Sequence, residues 1–228
     1  MIENVERNGV ILFDLDGTLI DSTDAILESF RVAYSKFGFD IPNDRDIVEQ
    51  IGYPLDDMFR SLGVEDGMVD EFVVAFKNHY RAISKEKTIL LPYAKESVVE
   101  ASKIARVGVV TTKTTLFSSK LMEHLGLMSY FEVFVGREDV EHPKPHPEPI
   151  YKALEKFDID KSRCWMIGDT CLDIDSAKSA GINSVALLSG YGTKEQLSKC
   201  SATIKDNSLE AVSYIKQKFD FKRLLRVL

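Results

Sequence analysis

The chain has 228 residues, 44% of them hydrophobic and 29% charged, with a formal net charge of -7. That length can bury a substantial core and suits one domain carrying an insertion or two small domains. The acidic balance argues against nucleic acid as a partner, because binding a phosphate backbone needs a basic surface, and no apolar run is long enough to span a bilayer.

The first eight residues carry neither a basic nor an apolar leader segment, so a cytoplasmic protein is expected, as a monomer or homodimer with no membrane contact. Cys164, Cys171 and Cys200 show no close metal-ligand spacing and are expected as free thiols. The apolar run Val10, Ile11, Leu12, Phe13 predicts a strand buried on both faces of a parallel sheet. It ends at Asp14-Leu15-Asp16-Gly17-Thr18. Side chains two apart in an extended segment point the same way, so Asp14 and Asp16 should project together. Two buried like charges are costly unless a cation compensates them, and one is therefore implied.

Ser22 offers a helix N-cap, followed at helical spacing by Ile26, Leu27, Phe30, Ala33, Tyr34 and Phe37 as far as Gly38. The helical signal continues over 44–84 in three apolar stripes, and no strand-like alternation occurs between Ser22 and Lys87. From Leu90 onward helical stretches at 94–104, 116–125, 148–157, 174–180 and 208–219 alternate with β-branched runs at 107–111, 132–135, 164–168, 184–188 and 202–204. The predicted fold is α/β, a doubly wound, Rossmann-like parallel sheet formed by 1–19 and 90–228, with an inserted all-helical domain at 20–89. The apolar, basic tail 221–228 is expected to dock on the core.

In open parallel sheets ligands bind beyond the carboxyl ends of the strands. Thr111, Lys144 and Asp169 all fall at or after strand ends, in register with Asp14 and Asp16. Lys144 sits among alternating prolines, which should hold its segment extended. His142 and His146 lack a third nitrogen or sulfur ligand nearby, which weakens a metal role for them. Oxygen ligands and retained water at such a site suit Mg2+.

The D-x-D-G-T run at 14–18, the strand ending in Thr111, the K-P-x-P-x-P pattern from Lys144 and the G-D-x-x-x-D run from Gly168 to Asp173 occur in one order over nearly the whole chain. In that order they resemble the haloacid dehalogenase superfamily, specifically its Mg-dependent phosphatases similar to phosphoglycolate phosphatase. The resemblance implies hydrolysis of a small phosphorylated metabolite with Asp14 as nucleophile, through an aspartyl-phosphate, and Asp16 as general acid and base. It implies Mg2+ held by the Asp14 carboxylate, the Asp16 carbonyl and Asp169, with Asp173 acting through water or through these ligands. It implies phosphate binding by the amides of Leu15 and Asp16, by Thr111 and Lys144, and at Thr112, where many such enzymes place Asn. The helical insertion matches the family's cap, whose G-x-P-L segment reads Gly52-Tyr53-Pro54-Leu55 here and makes Tyr53 a specificity candidate. Leu91-Pro92-Tyr93 departs from the usual Pro-Gly turn into the core. The cap cations Arg45, Arg60, Lys77 and Arg81 are candidates for reading a substrate carboxylate, with solvated faces as the plainer expectation. Inorganic pyrophosphatases and β-phosphoglucomutases share the core motifs and stand as alternatives. A receiver-like switch is disfavoured by the cap and by Asp16.

Overall fold

The computed structural model describes residues 7–201 and 203–224, the side chains of 221–224 excepted. Strand β1 (Val10–Phe13) is wholly buried. Its alternation sends Ile11 and Phe13 into one apolar cluster and Val10 and Leu12 into another, as a central strand covered on both faces requires. The chain then forms β2 (Ile20–Asp21), α1 (Thr23–Phe37), α2 (Asp44–Val48), α3 (Leu55–Ser61) and α4 (Asp66–Lys87), and returns through β3 (Ile89–Leu90). There follow α5 (Ala94–Ile104), β4 (Arg106–Val110), α6 (Thr115–His124), β5 (Val133–Val135), α7 (Glu148–Leu154) and β6 (Cys164–Gly168). The described chain closes with α8 (Cys171–Ala180), β7 (Asn183–Leu187), α9 (Lys194–Cys200), β8 (Ile204–Lys205) and α10 (Ser208–Leu224).

Six strands form one parallel sheet in the order β5-β4-β1-β6-β7-β8. This is the doubly wound α/β core expected from the sequence. Strand order reverses on either side of β1, which puts the switch point at its carboxyl end. Helices α5, α6 and α10 contribute Val98, Met122 and Ile215 to the Ile11 face, whereas α7 and α8 contribute Ile150 and Ala177 to the other.

Helices α1 to α4 enclose a third cluster, built on aromatic rings: Phe30 lies 4.6 Å from Phe59 and 5.1 Å from Phe76, centroid to centroid. Rings at these distances and tilts gain from edge-to-face contact as well as from burial. The block is tied to the sheet by the antiparallel pair β2 and β3, with Ile20 opposite Leu90. Two residues per strand are too few to show alternation, so this ribbon had no sequence signal.

Several expected boundaries shift. Helix α8 begins at Cys171, three residues before its predicted start, and α7 stops at Leu154, although Phe157 beyond it remains buried. Helix α9 was not predicted, although Thr193 and Gln196 form a capping box that announces it. The tail 225–228 lies outside the described residues, as do the side chains needed to judge its docking. The proline segment is not extended: the His146 amide donates to the Pro143 carbonyl, closing a turn around a cis Lys144-Pro145 bond. The cysteines need a further correction. Cys171 and Cys200 form a disulfide, their Cα atoms 5.8 Å apart because α8 and α9 pack together, and Cys164 is the buried free cysteine. Among the described residues no helix is long and apolar enough to cross a membrane.

Candidate active site

At the carboxyl end of β1 the Asp14 amide donates to the Ile167 carbonyl of neighbouring β6, fixing the acid between the two central strands. Asp169 follows β6 directly, and Asp173 lies in the first turn of α8. One oxygen of each of Asp14, Asp169 and Asp173 falls within 4.8 Å of the others, and all three residues are buried. Asp169 accepts from the Thr18 hydroxyl (3.1 Å) and the Tyr191 amide (2.9 Å). Asp173 accepts from the Thr170 amide and hydroxyl at 3.1 and 2.8 Å and from Lys144 Nζ at 2.5 Å. Lys144 also donates to the Val110 carbonyl and stands 2.9 Å from Asp14 Oδ1. That last contact is an ion pair, and among the described residues Asp14 Oδ1 has no well-aligned hydrogen bond despite its burial.

Two of the three carboxylates, Asp14 and Asp173, thus share one ammonium, with Asp169 beside them. Burial pushes the Asp14 carboxyl up to about 7, opposed by Lys144 and reinforced by Asp173 and Asp16. Burial likewise holds Asp169 well above the usual carboxylate range, with Asp173 and Asp14 adding to it. Burial works against the Lys144 charge, yet Asp14 and Asp173 outweigh it and keep the ammonium above its ordinary range. Acids in this condition are short of positive charge. A hard, oxygen-seeking divalent ion fits the donor set and the Asp14 oxygen that lacks a well-aligned hydrogen bond. Gly17 completes the enclosure: its φ is +76°, and a Cβ there would sit 2.2 Å from Asp169 Oδ2, so the turn needs glycine for both conformation and space.

Asp16 keeps different company. It lies past the strand end, accepts from the Ser22 hydroxyl, and pairs at 3.0 Å with Lys113 Nζ. The two acids expected to project together therefore have separate partners. Lys113 was missed in the sequence, where it reads as one more residue after a strand end. Its Nζ also donates to Tyr80 Oη of α4 at 3.0 Å and lies 4.6 Å from the Tyr80 ring centroid, so this sheet-side lysine reaches the helical block. Burial opposes its charge, but Asp16 and Tyr80 prevail and raise it.

The other predicted residues are distributed around these acids. Thr111 is buried, and its hydroxyl accepts the Lys113 amide at 3.2 Å. Leu15 is buried, its carbonyl receiving the amides of Thr18, Leu19 and Ile20. Thr112 lines a cavity of about 340 Å³ between the helical block and the sheet, together with Asp16, Lys113 and the half-exposed Tyr53. The Gly52 backbone approaches Thr170 and Leu172, placing the segment around Tyr53 over the α8 turn. Of the four cap cations only Lys77 lines the cavity. Arg45 pairs with Glu49, Arg60 with Asp56, Asp57 and Asp66, and Arg81 stacks on Phe117. Arg137, which carried no sequence signal, joins the lining from the sheet side. His142 and His146 are exposed beside Glu148, which accepts the backbone amides of Glu141 and His142.

Residues 11–187 match the family described as haloacid dehalogenase-like hydrolase. The chain is 34% identical over 189 residues to the pyrophosphatase PpaX of Halalkalibacterium halodurans, covering 81% of this chain and 84% of that one. It is 29% identical over 211 residues to the phosphoglycolate phosphatase of Escherichia coli (strain K12), covering 82% and 84%. A solved haloacid dehalogenase-like family hydrolase from Streptococcus pneumoniae superposes with a TM-score of 0.82 at 27% identity, covering 90% of this chain and 97% of that one. With four motifs at the carboxyl end of a doubly wound sheet and a match spanning most of its length, the chain belongs to the haloacid dehalogenase-like hydrolase family.

Proposed function

We propose that the protein is a Mg2+-dependent phosphatase that hydrolyses a small phosphate monoester, in the manner of phosphoglycolate phosphatase, through an aspartyl-phosphate on Asp14. The observation that carries this is the division of labour between two neighbouring acids. Asp14 lies with Asp169, Asp173 and Lys144 in a carboxylate cluster, whereas Asp16 lines the adjoining cavity. One faces a site for phosphate and cation, the other a site for an alcohol.

In the first step an Asp14 oxygen attacks phosphorus, the bond from phosphorus to the ester oxygen breaks, and the Asp16 carboxyl gives its proton to the departing alcohol. In the second step water attacks the phosphoaspartate, its proton passes to the Asp16 carboxylate, and the bond from phosphorus to the Asp14 oxygen breaks to release phosphate. Lys144, Thr111 and the amides of Leu15, Asp16 and Thr112 hold the non-bridging oxygens, stabilising charge that spreads over them during transfer. Asp14, the Asp16 carbonyl and Asp169 would hold Mg2+, which when bound would supply the positive charge that lets one anion approach another. Asp173 fixes Lys144 through their 2.5 Å contact. The block at 20–89 serves as a cap over a core of 1–19 and 90–228 and excludes water from the phosphoenzyme.

Release of phosphate from a panel containing phosphoglycolate, pyrophosphate and an aryl phosphate tests the proposal. Turnover should require Mg2+, stop in excess chelator and fail to recover with Ca2+, whose longer and looser coordination spoils in-line transfer. Undiminished turnover in chelator refutes it.

A further inference from the structure

The cavity beyond Asp16 is where a departing alcohol would lie, since Asp16 is the acid on that side. Its walls are informative. Ile26, Ile51, Met58, Val73, Phe76 and Phe117 give it an apolar lining, five of the six coming from the helical block. The charged groups around it balance: Asp16, Asp56 and Asp70 against Lys77, Lys113 and Arg137. Two of the three cations are already engaged, Lys77 being the third. Lys113 is committed to Asp16 and Tyr80, and Arg137 donates to the Val140 carbonyl at 3.0 Å while its charge acts on Asp56.

A glycolate or phosphate leaving group carries its own negative charge into this space and needs cationic partners to replace lost water. A neutral alcohol with a ring or branched apolar body needs none, and it gains from the walls. The volume points the same way. About 340 Å³ lies within the range, roughly 300–1,000 Å³, of pockets that take sizeable organic ligands, well beyond what a two-carbon acid fills.

Building on the phosphatase function above, we propose that the substrate is the phosphate monoester of a neutral, partly apolar alcohol, and that phosphoglycolate and pyrophosphate are poor substrates. Specificity then resides in the apolar wall, with Val73 and Phe117 as determinants.

The test compares kcat/KM for benzyl phosphate, whose leaving group is a neutral alcohol with an apolar ring, with that for phosphoglycolate and pyrophosphate in Mg2+. Because a single methylene in an apolar pocket is worth about 10–200-fold, benzyl phosphate should lead both by roughly tenfold or more. Val73→Lys places a cation in the wall from a half-buried position and should narrow that lead by at least about tenfold, chiefly through KM. Phe117→Ser, on the opposite wall, should narrow it too and serves if the first variant folds poorly. A preference for phosphoglycolate or pyrophosphate in the unmodified enzyme overturns the inference and leaves the phosphatase function standing. Variants that keep the original ranking also overturn it. Absence of turnover on every ester, with no phosphoenzyme formed, overturns both.

Discussion

Replacing Lys113 by Met removes one ammonium while keeping most of the stem, and it isolates the contact that joins Asp16 to the helical block. Breaking a buried ion pair by deleting one partner costs about 3–5 kcal/mol. Here the two side chains are 15% and 10% exposed and the Ser22 hydroxyl still donates to Asp16, so the low end, about 3 kcal/mol, applies. For a chain of this size each kcal/mol moves the melting temperature by about 2–4 °C, which gives a fall of about 6–12 °C. The kinetic effect is separable from this. Losing acid-base catalysis entirely costs about 10²–10⁴-fold, and an Asp16 that is present but poorly placed should lose part of that, on the order of tenfold in kcat. The loss should be larger for an alkyl phosphate, whose alcohol needs a proton, than for an activated aryl phosphate, which needs little. Thermal denaturation and kcat for the two esters, measured well below the melting temperature, provide the assay. A lower melting temperature with equal kcat changes for both esters would make Lys113 merely structural, and no change in either quantity would refute the coupling altogether.

Three further outcomes are expected. Tyr93 holds φ at 66° and is 54% exposed, so it pays for a left-handed turn with little packing in return. Tyr93→Gly should relieve about 1–2 kcal/mol of backbone strain, less about 0.4–1 kcal/mol for the freer unfolded chain, and raise the melting temperature by a few degrees, whereas Tyr93→Ala should not; equal melting temperatures for the two variants would contradict this. Thiol titration at pH 8 of protein purified without reductant should find none in the native state, one after denaturation and three after denaturation with reduction, following the Cys171-Cys200 bridge. Burial pushes the Cys164 thiol up to about 11, so it stays protonated and unreactive at pH 8 in the folded chain. The same shift makes stability fall as pH rises from the ordinary thiol range toward 11, because only the unfolded chain can release that proton. Two reactive thiols in the native protein would contradict the bridge.

The sheet was legible because its central strands announce themselves: β1, β4 and β6 are apolar runs buried on both faces, each stopped by a polar residue at the same end. That regularity places Asp14, Thr111 and Asp169 at one end of the sheet, with Lys144 in the loop that follows β5. Contacts between distant segments left no such trace. Lys113 follows a strand end as an ordinary lysine would, and only the approach of α4 shows that Tyr80 and Asp16 share it. Tyr191 looks like a loop aromatic, yet its amide holds Asp169 and its hydroxyl meets Thr23 across the chain. The bridge between Cys171 and Cys200 depends on how α8 and α9 pack, which spacing alone does not give. Helix α9 is the case where a signal was present and overlooked, since Thr193 and Gln196 have the right residue types at the right separation.

The roles of the paired acids admit the most direct test of the mechanism. Asp14→Asn, Asp16→Asn and the unmodified enzyme would each be mixed with an activated aryl phosphate and Mg2+, quenched in acid and weighed intact. Asp16→Asn retains the nucleophile but lacks the group that activates water, so it should accumulate one phosphoryl group. Asp14→Asn should accumulate none. A phosphoryl group found on Asp14→Asn, or absent from Asp16→Asn while the aryl alcohol is released in a stoichiometric burst, would contradict nucleophilic catalysis by Asp14.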